Sequence, residues 1–347
     1  MHKKTIYIIY TGGTIGMQRS DQGYVPVKGY LQQQLQQMPR FHRPEMPSFV
    51  INEYHPLIDS SDMSPAIWQQ IAQDIQENYT HYDGFVILQG TDTMAFTASA
   101  LSFMLENLAK PVLITGAQIP LSELRSDGQS NLLNALYLAA HHPINEVGLF
   151  FDQKLFRGNR VTKAHADGFS AFTSPNFPPL VETSIHIRKP HKSLTLPLLG
   201  ELKVHTMSPQ AIAIITLYPG LDSRLIQGLL HQPLQAVILR TYGLGNAPSC
   251  SNFLRSIEAL TARDILVINI TQCLSGRVNM QRYANGHGLA NIGVISGFDM
   301  TLEATVAKLY YLLNRPLSPQ QRRAAMIQNL RGELTLETEN SHWGEVA

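Results

Sequence analysis

Residues 5–16 read TIYIIYTGGTIG, and this stretch decides the fold class of the chain. It begins with six residues that are almost all apolar, β-branched or aromatic, and it then changes to a glycine-rich turn. A short run that is apolar throughout, rather than alternating with polar residues, is typical of a strand covered on both faces of a sheet. The stretch therefore predicts a buried strand whose carboxyl end opens into a polar loop.

Runs of the same kind recur along the chain, and helical patterns separate them. The predicted strands are 5–10, 85–88, 112–115, 147–151, 212–217, 236–239 and 265–270. Between two of them, Ile67, Ile71 and Ile75 repeat every four residues. Ser64 is a predicted N-cap for this helix, and Pro65 occupies its first position. This alternation predicts an α/β fold: an N-terminal domain with a mainly parallel sheet flanked by helices, plus a smaller C-terminal α/β domain.

The proline-rich segment from Pro175 to Pro209 interrupts this alternation. Its second half carries few helix signals, which favours a connection between two domains. We place the N-terminal domain at residues 1–190, a linker at 191–210 and the C-terminal domain at 211–347. Two domains also agree with a length of 347 residues, because domains average about 150 residues.

The C-terminal region carries its own helix-end signals. The sequence Ser318-Pro319-Gln320-Gln321 matches a capping box with proline in its first turn. Gly332 stands where a glycine C-cap is expected. The two signals predict a helix that begins after Ser318 and ends before Gly332.

The composition excludes several classes of protein. The 27 basic and 26 acidic residues leave a net charge of +1, which gives no field to attract nucleic acid. Two cysteines are too few for a disulfide scaffold or a four-cysteine zinc site, and the 13 histidines include no HExxH motif. We therefore expect neither metal nor cofactor. No run approaches the roughly 18 apolar residues of a membrane span, and residues 1–10 lack the features of a signal peptide. We expect a cytoplasmic protein with no membrane partner.

Polar residues follow four of the predicted strands at their carboxyl ends. These segments are Thr11–Gly16, Gln89–Thr93, Gly116–Gln118 and Arg160–Ala164. Ligands of open parallel sheets bind outside the carboxyl ends of the strands, so hydroxyls, one carboxylate and one lysine are expected on one rim. Five glycines between residues 12 and 29 suit a mobile lid over this rim. The sequence thus predicts a ligand site there.

Each of these residues also has an ordinary structural explanation. Thr11–Gly16 is explained as a turn, and both Thr91–Asp92 and Asp59–Ser64 suit the caps of the helices that follow. Lys163 is explained as an exposed lysine. As a base for a threonine hydroxyl, Lys163 must be neutral, a form that burial favours and a neighbouring Asp92 carboxylate opposes. Taken singly, the residues leave these alternatives open.

Together the segments resemble the bacterial-type L-asparaginases, the asparaginase–glutaminase amidohydrolases. The matching stretches are 10–16, 59–63, 84–93, 111–118, 126–128 with Asn131 and Asn134, and the loop of Lys163. Their order and spacing match along residues 5–165, and the pair TGGTI and QGTDT is highly specific. The resemblance weakens after residue 170 but continues through 242–246 and 293–297. It implies the hydrolysis of L-asparagine to L-aspartate and ammonia.

The resemblance also implies catalytic roles. Thr14 would attack the side-chain amide carbon and form an acyl-enzyme ester, assisted by Tyr24 on the lid. Thr91, Asp92 and Lys163 would form a second polar triad that activates the hydroxyl or the hydrolytic water. Which of the two threonines is acylated first stays open.

A further set of residues would bind the substrate. Its α-amino and α-carboxylate groups would be held by Asp59, Ser60, Ser61, Thr91 and Asp92. Backbone N–H groups at Thr91 and near Ala117 would stabilise the oxyanion. Secreted members carry glutamine in place of Ser61 and use a carboxylate from a neighbouring subunit, whereas no Asp or Glu occurs here from Ile265 to Phe298. A preference for glutamine as substrate therefore cannot be inferred.

The cytoplasmic branch of the family, which this chain resembles, implies a homotetramer built as a dimer of dimers. It also implies a second, regulatory asparagine site at Arg240, Thr271 and Cys273; the alternative is that Arg240 only bridges subunits. Two other functions stay open. One is an amidotransferase component that acts on a charged tRNA, which the net charge of +1 disfavours. The other is a non-catalytic amino-acid-binding module.

Overall fold

The computed structural model describes residues 3–21, 23–189, 200–281 and 284–336. The chain divides into two compact units, residues 1–207 and 208–347, and each has its own sheet. Residues 191–199 of the predicted linker lie outside the described residues, so the predicted boundaries at 190 and 210 stay predictions. None of the described helices combines the length and the apolar character that a membrane crossing requires.

In the N-terminal unit, each of the described helices lies between two strands along the chain. Its strands are β1 (Thr5–Tyr10), β2 (Met17–Ser20), β3 (Gly23–Pro26), β4 (Ser48–Glu53), β5 (Gly84–Leu88), β6 (Leu105–Glu106), β7 (Val112–Thr115), β8 (Val147–Phe151), β9 (Lys154–Arg157), β10 (Thr162–Lys163), β11 (Phe172–Thr173), β12 (Val181–Thr183), β13 (Ile187–Arg188) and β14 (Lys203–Val204). Its helices are α1 (Tyr30–Gln37), α2 (Pro65–Asn78), α3 (Met94–Met104) and α4 (Gly128–His141). Short 3-10 turns lie at Thr14–Gly16, Pro39–His42 and Ser60–Asp62.

The main sheet of this unit has eight strands among the described residues, in the order β13-β12-β9-β8-β7-β5-β1-β4. Neighbours from β8 to β4 run parallel, while β9, β12 and β13 extend the sheet by antiparallel pairing. The side chains of β5, β7 and β8 are buried along their whole length. Such strands are covered on both faces, as the apolar runs predict. The predicted mainly parallel α/β fold is confirmed.

The parallel strands of this unit pack against α4 and end at one rim of the sheet. Ile6 and Ile8 of β1 and Val86 of β5 form one core cluster with Leu132 and Leu136 of α4. Because β7, β5, β1 and β4 are neighbours that run parallel, their carboxyl ends open onto the same rim. This rim carries three of the predicted polar segments.

The C-terminal unit is a smaller parallel sheet with its own helices. Its strands are β15 (Ile212–Thr216), β16 (Ala236–Thr241), β17 (Leu266–Thr271) and β18 (Ile295–Ser296), in the order β15-β16-β17-β18. Its helices are α5 (Ser223–Leu229), α6 (Ser251–Thr261), α7 (Ala284–Asn291), α8 (Leu302–Leu313) and α9 (Pro319–Met326). The predicted smaller C-terminal α/β unit is thus confirmed.

Of the two helix-end predictions for α9, the one for its start is confirmed and the one for its end is wrong. The capping box of Ser318 and Gln321 is present, with the Ser318 side chain accepting from the Gln321 N–H and the Gln321 side chain accepting from the Ser318 N–H. The helix ends at Met326, so Gly332 does not cap it. Gly332 instead has a φ of 80° in a later turn, where its N–H donates to the Asn329 side chain at 2.7 Å.

Candidate active site

The loop after β1 is pressed against its neighbours by backbone contacts that only glycine permits. Gly13 has a φ of 92°, and a Cβ there would lie 2.3 Å from the backbone nitrogen of Gly90, which follows β5. Gly12 has a φ of 140°, and a Cβ there would lie 2.3 Å from the carbonyl oxygen of Ile58, which follows β4. Both the positive φ and the close approach exclude a side chain. The loops after β1, β5 and β4 therefore touch, and Thr14 starts the 3-10 turn at their junction.

A cleft of about 220 Å³ opens beside this junction. The residues that line it are Gly13, Thr14, Met17, Asp59, Ser60, Gly90, Thr91, Asp92, Gln118, Lys163 and Ala166. The structure thus brings together six of the residues predicted for the site: Thr14, Asp59, Ser60, Thr91, Asp92 and Lys163. A larger hollow of about 470 Å³ lies along the edge strand β4, where Gln32, Gln36 and Phe49 are among the lining residues, and it contains none of the predicted residues.

Lys163 connects the two polar residues that follow β5. Its Nζ donates to Thr91 Oγ1 at 2.9 Å and lies 2.6 Å from Asp92 Oδ1. The Lys163 side chain is 18% exposed, whereas that of Asp92 is 67% exposed. Lys163 therefore joins the Thr91 hydroxyl and the Asp92 carboxylate in one connected group, and the carboxylate expected beside Lys163 is in direct contact with it.

Gln118 is a residue of the cleft that sequence reasoning missed. Its Oε1 accepts from Thr91 Oγ1 at 3.3 Å, and its Nε2 donates to the carbonyls of Ala166 and Gly168. The signal that could have found it was present, since Gln118 ends one of the polar segments expected on the rim. An amide side chain is neither a nucleophile nor a base, so chemistry alone did not single it out.

Asp59 is held by the turn that it begins. Its Oδ1 accepts from both the N–H and the hydroxyl of Ser61, each at 2.8 Å. The backbone N–H of Ser61, and then its hydroxyl, lower the pKa of the Asp59 carboxyl below its ordinary value, against the opposing effect of burial. Asp59 and Ser60 line the cleft, but Ser61 is outside its lining in the described structure and uses its hydroxyl on Asp59.

Two further predicted residues lie outside the cleft lining. Tyr24 is on the hairpin of β2 and β3, opposite Arg19, and is 46% exposed. The segment expected to be a lid is therefore partly a regular hairpin. Ala117 is 1% exposed and packs where a Cβ on Gly128 would meet it at 2.9 Å. Among the described residues, no group of three His, Cys, Asp or Glu side chains is placed to hold a metal ion.

The residues predicted for regulation gather within the C-terminal unit. Arg240 and Thr271 lie at the carboxyl ends of β16 and β17, where Arg240 is opposite Ile270. The N–H of Cys273 donates to Thr271 Oγ1 at 3.0 Å. The Nε of Arg240 is buried and has no hydrogen-bond partner among the described residues. The three residues thus share one end of this parallel sheet.

Two models of known protein families match the chain, one in its N-terminal part and one in its C-terminal part. The family model described as "Asparaginase, N-terminal" matches residues 5–193, and the one described as "Glutaminase/Asparaginase C-terminal domain" matches residues 211–326. The chain belongs to the asparaginase family. The predicted family and the predicted enzyme class, an amidohydrolase, are thereby confirmed.

Individual asparaginases are similar along nearly the whole chain. L-asparaginase 1 of Escherichia coli K12 is 62% identical over 335 residues, which cover 96% of this chain and 99% of that protein. The crystal structure of L-asparaginase I from Vibrio cholerae is 57% identical with a TM-score of 0.89, covering 96% of this chain and 100% of the other. The thermostable L-asparaginase from Thermococcus kodakarensis is 31% identical with a TM-score of 0.85, covering 95% and 99%.

Proposed function

We propose that the chain hydrolyses L-asparagine to L-aspartate and ammonia, with Thr14 as the nucleophile. The observation that carries the proposal is the contact of Lys163 with Thr91 and Asp92 in the cleft that Thr14 also lines. A nucleophilic hydroxyl and a triad able to orient water are what a two-step acyl transfer requires. The high identity to L-asparaginase 1 of Escherichia coli supports the choice of substrate.

The proposed reaction has two steps. Thr14 Oγ1 bonds to the side-chain amide carbon, the C–N bond breaks, and ammonia leaves with the proton of the hydroxyl. Water then attacks the ester, and aspartate departs as the Thr14 hydroxyl is restored. Tyr24 assists Thr14 when the hairpin closes over the cleft, and Thr91, Asp92 and Lys163 orient the water. Closure that excludes water and aligns the attack is a common source of rate enhancement.

Charges and dipoles of the cleft suit an amino acid with a small side-chain amide. The Asp59 carboxylate, kept ionised by the Ser61 N–H and hydroxyl, pairs with the α-ammonium group. The Asp92 carboxylate is a second partner of the α-ammonium group, and the α-carboxylate is held with the help of Ser60 and Ser61. Backbone N–H groups at Thr91 and Ala117 stabilise the oxyanion. Glutamine is expected to be a poorer substrate but not an excluded one, because one methylene changes binding by only about 1–3 kcal/mol.

The proposal extends to regulation and assembly. Asparagine binds a second site formed by Arg240, Thr271 and Cys273 and raises activity at the first. The buried Nε of Arg240, without a partner among the described residues, supports a ligand at this place. The protein works as a cytoplasmic homotetramer, a dimer of dimers, and needs neither metal nor nucleic acid.

Substitution of Thr14 tests the proposal. We expect Thr14→Ala to reduce ammonia release from L-asparagine by more than about 10³-fold, because the nucleophile is removed. Thermal unfolding should be unchanged, because Thr14 is partly exposed in a surface turn. Thr80→Ala, at an exposed threonine in the turn after α2, is the matched control and should keep full activity. Full activity of Thr14→Ala would refute the nucleophile, and tight asparagine binding by the unsubstituted protein without ammonia release would instead indicate a binding module.

A further inference from the structure

Three polar contacts fix the side chain of Gln118. Its Nε2 lies 3.3 Å from the carbonyl oxygen of Ala166 and 3.1 Å from that of Gly168. Both carbonyls only accept hydrogen bonds, so the NH₂ end of the amide must face them. The Oε1 end then faces Thr91, whose hydroxyl oxygen lies 3.3 Å away. The orientation of the amide therefore follows from its partners rather than from the shape of the side chain.

The backbone of Gln118 is anchored as firmly as its side chain. Its N–H donates to both carboxylate oxygens of Asp127 at 3.0 Å, at the start of α4. The N–H of Ile119 and the amide of Asn131 donate to the same carboxylate. Charge-assisted hydrogen bonds of this kind are stronger than neutral ones. Gln118 is thus a fixed support between α4, Thr91 and the 164–171 loop.

This support determines how the Thr91 hydroxyl shares its hydrogen bonds. The hydroxyl has one proton and two lone pairs. The Lys163 ammonium only donates, so it occupies one lone pair of Thr91 Oγ1 at 2.9 Å. Gln118 Oε1 only accepts, so it takes the proton of Thr91. One lone pair remains, and the hydroxyl faces the cleft as an acceptor.

We propose that Gln118 is a positioning residue that makes Thr91 a hydrogen-bond acceptor towards the cleft. The inference rests on the proposed function, in which Thr91 orients the hydrolytic water. A water molecule that donates a hydrogen bond to Thr91 Oγ1 keeps an oxygen lone pair free to attack the acyl carbon. A Thr91 hydroxyl whose hydrogen pointed into the cleft would instead donate to that lone pair of the water. Among the described residues, Gln118 Oε1 is the acceptor that holds the Thr91 proton away from the cleft.

The first test removes both ends of the amide at nearly constant length. Gln118→Met should lower kcat for ammonia release from L-asparagine by about 10- to 100-fold, the scale of a misplaced reacting group, while KM changes little. Gln73→Met, at an exposed position of α2, is the matched control and should leave kcat unchanged. A kcat for Gln118→Met equal to that of the unsubstituted protein would overturn the inference.

The second test keeps the acceptor end of the amide and changes its donor end. In Gln118→Glu, both the protonated and the ionised carboxyl keep an oxygen that accepts from Thr91, whereas the two hydrogen bonds to the loop carbonyls are reduced to one or none. If Gln118 acts as the acceptor for Thr91, Gln118→Glu should therefore retain more of the kcat of the unsubstituted protein than Gln118→Met does. A kcat of Gln118→Glu as low as that of Gln118→Met would overturn the inference, because the loss would then follow the loop contacts.

A double-mutant cycle separates action through Thr91 from support of the 164–171 loop. If Gln118 acts through Thr91, then Gln118→Met should not reduce the residual ammonia release of Thr91→Ala any further. A full additional loss in the Thr91→Ala background would overturn the inference and assign Gln118 to the loop alone. Ammonia release by the unsubstituted protein is measured alongside. Its absence would refute the proposed function itself, whereas activity with independent losses refutes only the role of Gln118.

Discussion

The turn that begins at Asp59 stabilises the ionised form of the Asp59 carboxylate, which can then bind a cationic ligand group. The carboxylate accepts the N–H and the hydroxyl of Ser61, and both interactions are stronger when Asp59 is ionised. The pKa of Asp59 is therefore lowered, and the carboxylate stays charged to a lower pH than an isolated aspartate. A group with a lowered pKa loses its contribution as pH falls through that lowered value. Binding of an α-ammonium group by Asp59 should follow the same dependence.

The hydroxyl of Ser61 is expected to set the acid limit of activity. Ser61→Ala removes one of the two donors to Asp59, so the pKa of Asp59 should rise towards its ordinary value. The acid limb of the pH profile of kcat/KM for ammonia release should then move to higher pH. Ser64→Ala is the matched control, because the Ser64 side chain makes no cap hydrogen bond to α2. An acid limb that stays in place in Ser61→Ala would contradict this account.

The elements that the sequence predicts well are those that are fully buried. Strand β1 has the predicted bounds, and β7 and β8 do as well, because a strand covered on both faces must be apolar throughout. The strand β4 was missed, since it lies at the edge of the sheet and only part of each face is covered. The polar hairpin of β2 and β3 was missed for the same reason. Periodicity reports burial, and these elements are largely exposed.

The site followed from topology rather than from any single residue. Parallel strands end on one rim, so Thr14, Thr91 and Asp92 were expected together without knowledge of distances. Gln118 was missed because its role depends on the direction in which its amide points. Ser61 was predicted to bind substrate, which stays a prediction, whereas the hydrogen bond from its hydroxyl to Asp59 was not predicted. Such hydrogen-bond directions arise from tertiary contacts that are distant in sequence.

The contact between the β1 and β5 loops should depend on the absence of a side chain at Gly13. Gly13→Ala places a Cβ 2.3 Å from the Gly90 nitrogen and imposes a φ of 92° on alanine. We expect a loss of at least about 1–3 kcal/mol in the free energy of unfolding and a large loss of ammonia release, because Thr14 follows directly. Chemical denaturation and the activity assay measure the two effects.

The matched control for Gly13 is Gly228 in α5, where a Cβ meets nothing within 4 Å. Gly228→Ala should raise stability by about 0.4–1 kcal/mol, because alanine restricts the unfolded chain. Equal effects of the two substitutions would mean that the loops do not depend on close approach.

At the scale of the whole molecule, asparagine bound at the end of the β15–β18 sheet is expected to change the rate of ammonia release at the cleft. We expect ammonia release by the unsubstituted protein to rise sigmoidally with L-asparagine, since a regulatory site couples binding to activity. Arg240→Ala should make the curve hyperbolic. Arg255→Ala, at the exposed face of α6, is the matched control and should leave the curve sigmoidal. A hyperbolic curve for the unsubstituted protein, unchanged by Arg240→Ala, would exclude the regulatory site.

The touching backbones of Gly13 and Gly90 divide the wall of the cleft into a rigid part and a tolerant part. Neither loop has room for a larger residue at the contact, so randomising these positions would yield inactive protein. The 164–171 loop, in contrast, meets the cleft through Ala166 and is tied down by the amide of Gln118. Libraries that aim to redesign substrate range should therefore vary Ala166, which Gln118 holds by its carbonyl and not by its side chain, and leave the glycine loops untouched.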